Sequence, residues 1–216
     1  CALPISVFMR SERFHHATDG HGTDGEMLVE KQRLHWPILD AVREAAEEIG
    51  IPKTQDFNLG DNEGSGYFEV TQRSGLRWSA VRAFLPRQIR ARPNLTIVDR
   101  TQVTRLTLDG RRVTGVEYVR DGKLMNVRAR EVVLAAGSIG TPQIMMLSGL
   151  GPRDHLSENG IEVVHDLPGV GANLQDHLQI RTSYRISGAR TLNDLQARLW
   201  GKAMIAARYA LSRSGP

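Results

Sequence analysis

The chain of 216 residues is poor in cysteine, with a single one at position 1. One cysteine cannot close an internal disulfide bond, and it cannot supply the several thiolates of a zinc finger. This composition fits a reducing compartment and excludes the metal-finger class of protein. We expect the thiol of Cys1 to be inert.

The sequence also lacks a long apolar run. No stretch approaches the roughly 18 to 20 apolar residues that a membrane-spanning helix needs. The first residues carry no charged segment followed by an apolar one, as a secretory signal would. We therefore expect a cytoplasmic protein, or one that lies peripherally at the inner membrane. Both ends read like the interior of a domain, which predicts a fragment of a longer protein.

Acidic residues are scattered, whereas arginines concentrate in one region of a chain whose net charge is +4. The cluster consists of Arg73, Arg77, Arg82, Arg87, Arg90 and Arg92. A nucleic-acid interface would combine such charge with stacking aromatic residues or a recognition motif, and neither is present. We interpret the arginines as a solvated helix face and expect no nucleic-acid partner. A basic, non-enzymatic binding module is the alternative.

Three histidines lie in the loop-rich first third of the chain, at His15, His16 and His21. A metal site is one interpretation of this group. Its spacing matches no zincin or finger signature and brings no companion carboxylate on a helix. A polar surface loop is the preferred interpretation, and we expect no metal.

Proline and glycine mark the predicted helices. Pro37 and Gly50 frame an amphipathic helix. A second helix should begin near Ser79 and be disturbed at Pro86. A long helix is predicted over 191–213, with Thr191 or Asn193 as its N-cap.

Residues 94–137 have the character of β-strands. Five strand-like segments follow one another: LTIVD, QVTRLTLDG, RRVTGVEYVRDG, KLMNVRA and EVVLAAG. The pairs Asp109-Gly110 and Asp121-Gly122 predict hairpins, because both central positions of such turns favour a positive φ. The last segment does not alternate with polar residues, so we expect a strand buried on both faces, as in a parallel sheet.

That last segment stops abruptly in EVVLAAGSIGTPQIMMLSGLG, residues 131–151. Ligands of α/β sheets bind beyond the carboxyl ends of the strands. Small residues at the tip let a ligand approach the backbone, and Gly137 can adopt conformations that other residues avoid. A tight connection without a ligand is the alternative. The meander upstream would leave the strand tip open, which favours a ligand site.

The run GSIGTPQIMMLSGLG, from Gly137 to Gly151, resembles the second signature of the glucose–methanol–choline (GMC) family of flavin oxidoreductases. Every element of that signature is satisfied. The elements are the small pair Gly137-Ser138, then Thr141-Pro142, the aliphatic pair Ile144-Met145 and finally Ser148-Gly149-Leu150-Gly151. The resemblance continues through PGVGANLQDH, residues 168–177, and extends over the whole chain. It is strongest to the choline dehydrogenase-like branch.

The resemblance implies a mixed α/β (α+β) fold. Part of a Rossmann-like FAD-binding domain would carry the β-meander, beside part of an antiparallel-sheet substrate domain. We expect residues 1–92 to be a mixed helix and loop segment that bridges the two domains. Residues 93–177 would belong to the FAD-binding domain, and residues 178–216 would begin the substrate domain.

The resemblance also implies FAD as cofactor and assigns residues to it. The backbone of Val103 would face the adenine, and Ala136 and Gly137 would pass near the adenosine. PGVGANLQDH would lie near the flavin, although Asn173 and Asp176 could equally fix a turn. The implied reaction oxidises the CH–OH group of choline or another primary alcohol by hydride transfer to flavin. Either a quinone or oxygen would accept the electrons.

Two features of the family are missing from the sequence. It has no G-x-G-x-x-G fingerprint on a first strand and helix to cradle the FAD pyrophosphate, and near its C-terminus it has no His with a second His or an Asn to act as catalytic base. His177 stands in a different motif, so we expect no catalytic residue in this chain. The fragment by itself should be inactive and should bind FAD weakly. A decayed flavoprotein fragment is a further alternative.

Overall fold

A computed structural model describes residues 2–60, 62–189 and 191–214. Cys1, whose thiol we expect to be inert, lies outside the described residues. The chain divides into two compact units. One unit comprises Cys1–Thr96 with Ser183–Pro216, and the other comprises Ile97–Thr182. Within the described ranges, no helix is long and apolar enough to cross a membrane.

The structure is a mixture of short helices and small sheets. The helices are α1 Ala2–Ser11, α2 Pro37–Glu48, α3 Ala80–Phe84, α4 Arg87–Arg90, α5 Gly137–Leu147, α6 Arg153–Glu158, α7 Leu192–Gln196 and α8 Leu199–Ser212. The strands are β1 Glu12–Phe14, β2 Met27–Val29, β3 Gln72–Arg73, β4 Leu76–Arg77, β5 Thr101–Asp109, β6 Arg112–Arg120, β7 Lys123–Arg128, β8 Leu150–Gly151 and β9 His165–Asp166. This confirms the predicted mixed α/β class.

Two helix predictions are confirmed. Helix α2 begins at Pro37, and Gly50 follows its end with a φ of 90°. Ser79 caps α3, where its side chain accepts the N–H of Arg82. The break expected at Pro86 separates α3 from α4, because a proline that supplies no N–H is best placed at the start of the next helix.

The long helix predicted over 191–213 is wrong as a single element. It divides into α7 and α8, and the capping box at the start of α7 uses Thr191 and Asp194. A Cβ at Gly201 would collide with the carbonyl oxygen of Leu195, so only glycine permits α8 to lie this close to α7. Helix α1 was not predicted, because its short sequence carries no clear start or stop signal.

The three-stranded meander is confirmed, with the order β5-β6-β7 and antiparallel pairing. Asp121 and Gly122 form the second turn with φ angles of 50° and 73°. The first turn differs from the prediction. Asp109 still pairs with Arg112, so the turn residues are Gly110 and Arg111 rather than Asp109 and Gly110.

The outer two of the five predicted strands are not formed. Residues 95–99 and 131–135 form no regular element and have no ladder partner among the described residues. The predicted burial of EVVLAAG is also wrong here, since Val133 is 87% exposed. The physical reason is that a strand needs a neighbouring strand for its backbone groups, and β5, β6 and β7 pair only with each other.

Helix α5 contains a proline. It starts at Gly137, so Pro142 lies inside it. Gly171 packs on the same helix, because a Cβ there would lie 3.6 Å from Cε of Met146. The short parallel pair β8 and β9 follows, and Leu156 of α6 is completely buried beside it. These contacts form a small core around the C-terminal half of α5.

Candidate functional site

The meander and the segment before α5 enclose a cleft of about 540 Å³. It lies entirely within the unit Ile97–Thr182. The lining residues are Val103, Gly115, Val116, Val127, Ala129, Glu131, Val132, Val133, Leu134, Ala135, Ala136 and Ile144. Two of the three residues predicted to contact a cofactor, Val103 and Ala136, therefore face the same cleft.

A β-bulge shapes the side of the cleft that β5 provides. Val103 pairs with Tyr118 and Arg105 pairs with Glu117, which leaves Thr104 as an extra residue. A bulge increases the local twist and redirects the neighbouring side chains. The sequence QVTRL contains no glycine or proline to announce this irregularity.

Polar contacts hold the bulge. The hydroxyl of Thr104 donates to the backbone oxygen of Glu117, and Arg105 makes two hydrogen bonds of 3.0 Å to the carboxylate of Glu117. The Arg105 hydrogen bonds favour the ionised carboxylate, so the pKa of Glu117 lies below its usual value. These bonds join the two strands at the level of Val103.

The opposite side of the cleft is unpaired backbone. No backbone N–H or C=O of residues 131–135 makes a hydrogen bond to another described residue. Buried backbone groups in proteins are almost always paired. Residues 131–135 are exposed or half-buried, so their unpaired donors and acceptors are accessible along an otherwise apolar cleft.

A tight turn ends that segment. Gly137 has a φ of 81°, and no atom lies within 4 Å of the position that a Cβ would occupy, so its conformation rather than crowding requires glycine. The N–H of Ala136 donates to the hydroxyl of Thr141, 3.1 Å away. Gly137 itself does not line the cleft; it redirects the chain from the cleft into α5.

The combination of apolar walls and unpaired backbone suits a flat heteroaromatic ring. The ring faces would contact valine side chains, and the ring edge would exchange hydrogen bonds with residues 131–135. The volume lies within the range of about 300–1,000 Å³ that is usual for ligand sites. In its donors and its size, the cleft thus fits the adenine end of a dinucleotide cofactor. The described residues add no glycine-rich phosphate loop to it.

PGVGANLQDH contains turn-forming geometry. Asn173 has a φ of 55°, and the carboxylate of Asp176 accepts the N–H of the adjacent His177. These features support the interpretation in which Asn173 and Asp176 fix a turn. The imidazole of His177 is exposed.

The arginine cluster does not lie on a single helix. Its members are distributed over β3, β4, α3 and α4 and the chain after α4. The guanidinium of Arg73 lies over the ring of Trp78, and Arg82 donates to the backbone oxygen of Arg77. The predicted solvation of these arginines is confirmed, since all six are exposed. Their placement mostly on one helix is wrong, because Pro86 and the β3–β4 hairpin divide the region.

One histidine of the first loop is not a surface residue. His21 is 8% exposed, and its two ring nitrogens lie 2.8 Å from carboxylate oxygens of Glu12 and Asp56. The ring stacks on Phe14 at a centroid distance of 3.9 Å. No group of three or more metal-ligating side chains in the described ranges could hold an ion. The contact with Asp56 spans 35 residues, so spacing alone could not reveal it.

Comparison with known families gives an extended match. The family model described as GMC oxidoreductase matches residues 6–179. The oxygen-dependent choline dehydrogenase of Brucella anthropi is 38% identical over 98% of this chain. An alcohol dehydrogenase [acceptor] of Pseudomonas putida is 42% identical over 74% of it.

A solved structure shows the same fold. The FAD-dependent oxidoreductase from Chaetomium thermophilum superposes on 98% of this chain with a TM-score of 0.85 and 30% identity. The match covers 40% of that structure. The chain likewise spans 38% of the Brucella relative and 29% of the Pseudomonas relative.

Proposed function

Because the chain belongs to the GMC oxidoreductase family, we propose that it is the middle part of an FAD-dependent enzyme that oxidises a CH–OH group. The substrate would be choline or another primary alcohol, in keeping with the names of its relatives. Residues 93–177 would belong to the FAD-binding domain, residues 178–216 would begin the substrate domain, and residues 1–92 would bridge the two.

One observation carries the proposal for this part of the protein. The cleft unites Val103 with Ala136, two residues that the family resemblance assigns to the cofactor from positions 33 residues apart. Its apolar side chains would hold the faces of the adenine and exclude water. The small side chain of Ala136 would let the adenosine approach the backbone, and Gly137 would supply the turn that keeps the tip open.

The remaining steps depend on groups that this chain does not contain. When bound, FAD supplies the chemistry by accepting a hydride from the alcohol carbon. A general base must take the hydroxyl proton, and we propose that the histidine responsible lies outside these 216 residues. A cytoplasmic or peripheral inner-membrane location is part of the same proposal and is supported by the single cysteine.

The test uses the full-length protein. It should purify with flavin absorbance, and choline or a primary alcohol should bleach that absorbance under anaerobic conditions. Ala136→Leu should lower the affinity for FAD by about tenfold or more, because an isobutyl group would fill the tip of the cleft. Titration of the apoprotein with FAD measures this change.

Ser157→Leu is the matched control, since it introduces the same side chain at an exposed position of α6 away from the cleft. Equal FAD affinity of the two variants would contradict the assignment of the cleft. A full-length protein that contains an intact phosphate-binding fingerprint and yet binds no flavin would contradict the proposed function itself.

A further inference from the structure

A buried hydroxyl joins the end of α5 to β5. Ser148, directly after α5, is 7% exposed. Its Oγ donates to the carbonyl oxygen of Ile144 at 2.6 Å and accepts the N–H of Leu106 at 2.8 Å. The second bond crosses 42 residues of sequence, from the end of α5 to β5. Both the donor and an acceptor site of the hydroxyl are therefore used.

The partner amide belongs to an irregular edge strand. β5 lies at the edge of the three-stranded sheet, and register shifts flank Leu106 on both sides, between Val103 and Arg105 and between Thr107 and Leu108. The side chain of Leu106 is buried. A donor in such a place needs a partner, and Ser148 supplies it. Among the described residues, this is the only hydrogen bond that joins the end of α5 to β5.

The same contact joins two elements that both contribute residues to the cleft. Val103 lies shortly before Leu106 in β5, and Ala136 directly precedes α5. Ile144, whose carbonyl accepts the serine hydroxyl, is buried and lines the cleft. A movement of α5 relative to β5 would therefore change the separation between the β5 side and the 131–136 side.

We propose that Ser148 is a positioning residue for the adenine end of the cofactor. Its hydroxyl holds α5 against β5 and so keeps the cleft at the width of an aromatic ring. It acts through the backbone of Leu106 and Ile144 and does not line the cleft. This inference rests on the function proposed above.

The experiment measures binding of ADP to the full-length apoprotein, because ADP carries the adenine end without the flavin. Ser148→Ala should weaken ADP binding by about tenfold, the effect of roughly one lost hydrogen bond on a site that must be preorganised. Ser148→Thr keeps the hydroxyl and should restore affinity to within about threefold of the wild type. Ser148 lines a second cleft of about 530 Å³.

Hydrogen exchange provides a readout that does not depend on the cofactor. The amide of Leu106 should exchange faster in Ser148→Ala and at the wild-type rate in Ser148→Thr. If the alanine variant fails to fold, Ser148→Cys replaces it, because a thiol has similar size and forms weaker hydrogen bonds. The ADP affinity of Ser148→Cys should then lie between the affinity expected for Ser148→Ala and that of the wild type.

Leu156→Ala is the control for a purely structural role. Leu156 is completely buried in the same unit and does not line the cleft. Its removal should lower the melting temperature and leave ADP affinity unchanged. An ADP affinity of Ser148→Ala equal to that of the wild type would overturn the inference. A loss of ADP affinity in Leu156→Ala in proportion to its loss of stability would overturn it too. A wild-type protein that binds neither ADP nor FAD would instead refute the proposed function, and the inference with it.

Discussion

At the scale of single residues, His21 links two distant loops through charge. Burial lowers the pKa of its imidazole, but the hydrogen bonds and negative charges of Glu12 and Asp56 more than offset this, so that the pKa is raised above 6.5. Both ring nitrogens face carboxylate oxygens, an arrangement that the doubly protonated ring satisfies. Glu12 also accepts the N–H of Gly22 and so holds the same loop.

This arrangement predicts a pH-dependent contribution to stability. A group whose pKa is higher in the folded than in the unfolded state stabilises the folded protein most at pH values where the group is protonated in both states. The contribution of His21 should be complete below its unfolded pKa of about 6.5 and should disappear as the pH rises through the higher folded value. The melting temperature of His21→Asn should therefore differ most from that of the wild type near pH 5.5 and least near pH 8.5.

The double variant Glu12→Gln, Asp56→Asn serves as the control, because it removes both charges that favour the imidazolium. In this background, the effect of His21→Asn should lose its pH trend. A trend that persists without the two carboxylates would show that another group is responsible.

At the scale of elements, the close approach of β6 and β7 depends on Gly115. This residue is buried and lines the cleft, and a Cβ on it would collide with the carbonyl oxygen of Val127. The strands could admit an alanine only by separating. We expect Gly115→Ala to destabilise the protein by about 1–3 kcal/mol, as measured by thermal or urea unfolding.

Gly169→Ala offers a matched comparison, since nothing lies within 4 Å of its Cβ position and its φ is not positive. Its effect on stability should be within about 0.5 kcal/mol. If the two alanine variants were equally stable, close contact between β6 and β7 would not be the constraint on position 115.

Predictability also differs between elements for physical reasons. Local signals were sufficient for α2, for the hairpin at Asp121-Gly122 and for the cap at Ser79, because each depends on residues a few positions apart. They were insufficient for the break between α7 and α8, where a backbone approach at Gly201 decides the outcome. The bulge at Thr104 likewise reflects its contacts with Glu117 on the next strand.

At the scale of the whole molecule, the chain exposes much more surface than a compact protein of its size. Its accessible area is 17270 Å², whereas a folded monomer of this mass exposes about 10,000 Å². Large apolar side chains contribute to the excess, among them Val133, Leu178 and Trp200, each more than 80% exposed.

This surface leads to a prediction about the 216 residues expressed alone. They should bind FAD at least about a hundredfold more weakly than the full-length protein, because the phosphate cradle is missing. They should also bind the apolar dye ANS strongly. Titration with FAD and dye fluorescence measure the two effects. Tight, stoichiometric binding of FAD by the 216 residues alone would show that the cofactor is held elsewhere than proposed.

The sequence by itself determined the family, through a signature whose elements lie within 15 consecutive residues, and it determined the meander through its hairpin turns. It also indicated Val103, Ala136 and Gly137 through that resemblance. Only the tertiary structure decided that Val103 and Ala136 line one cleft, that Ser148 joins α5 to β5, and that His21 is buried between two carboxylates. The physical reason is that each of these features joins residues far apart in the chain, and local patterns of polarity, turns and caps do not specify which distant groups will meet.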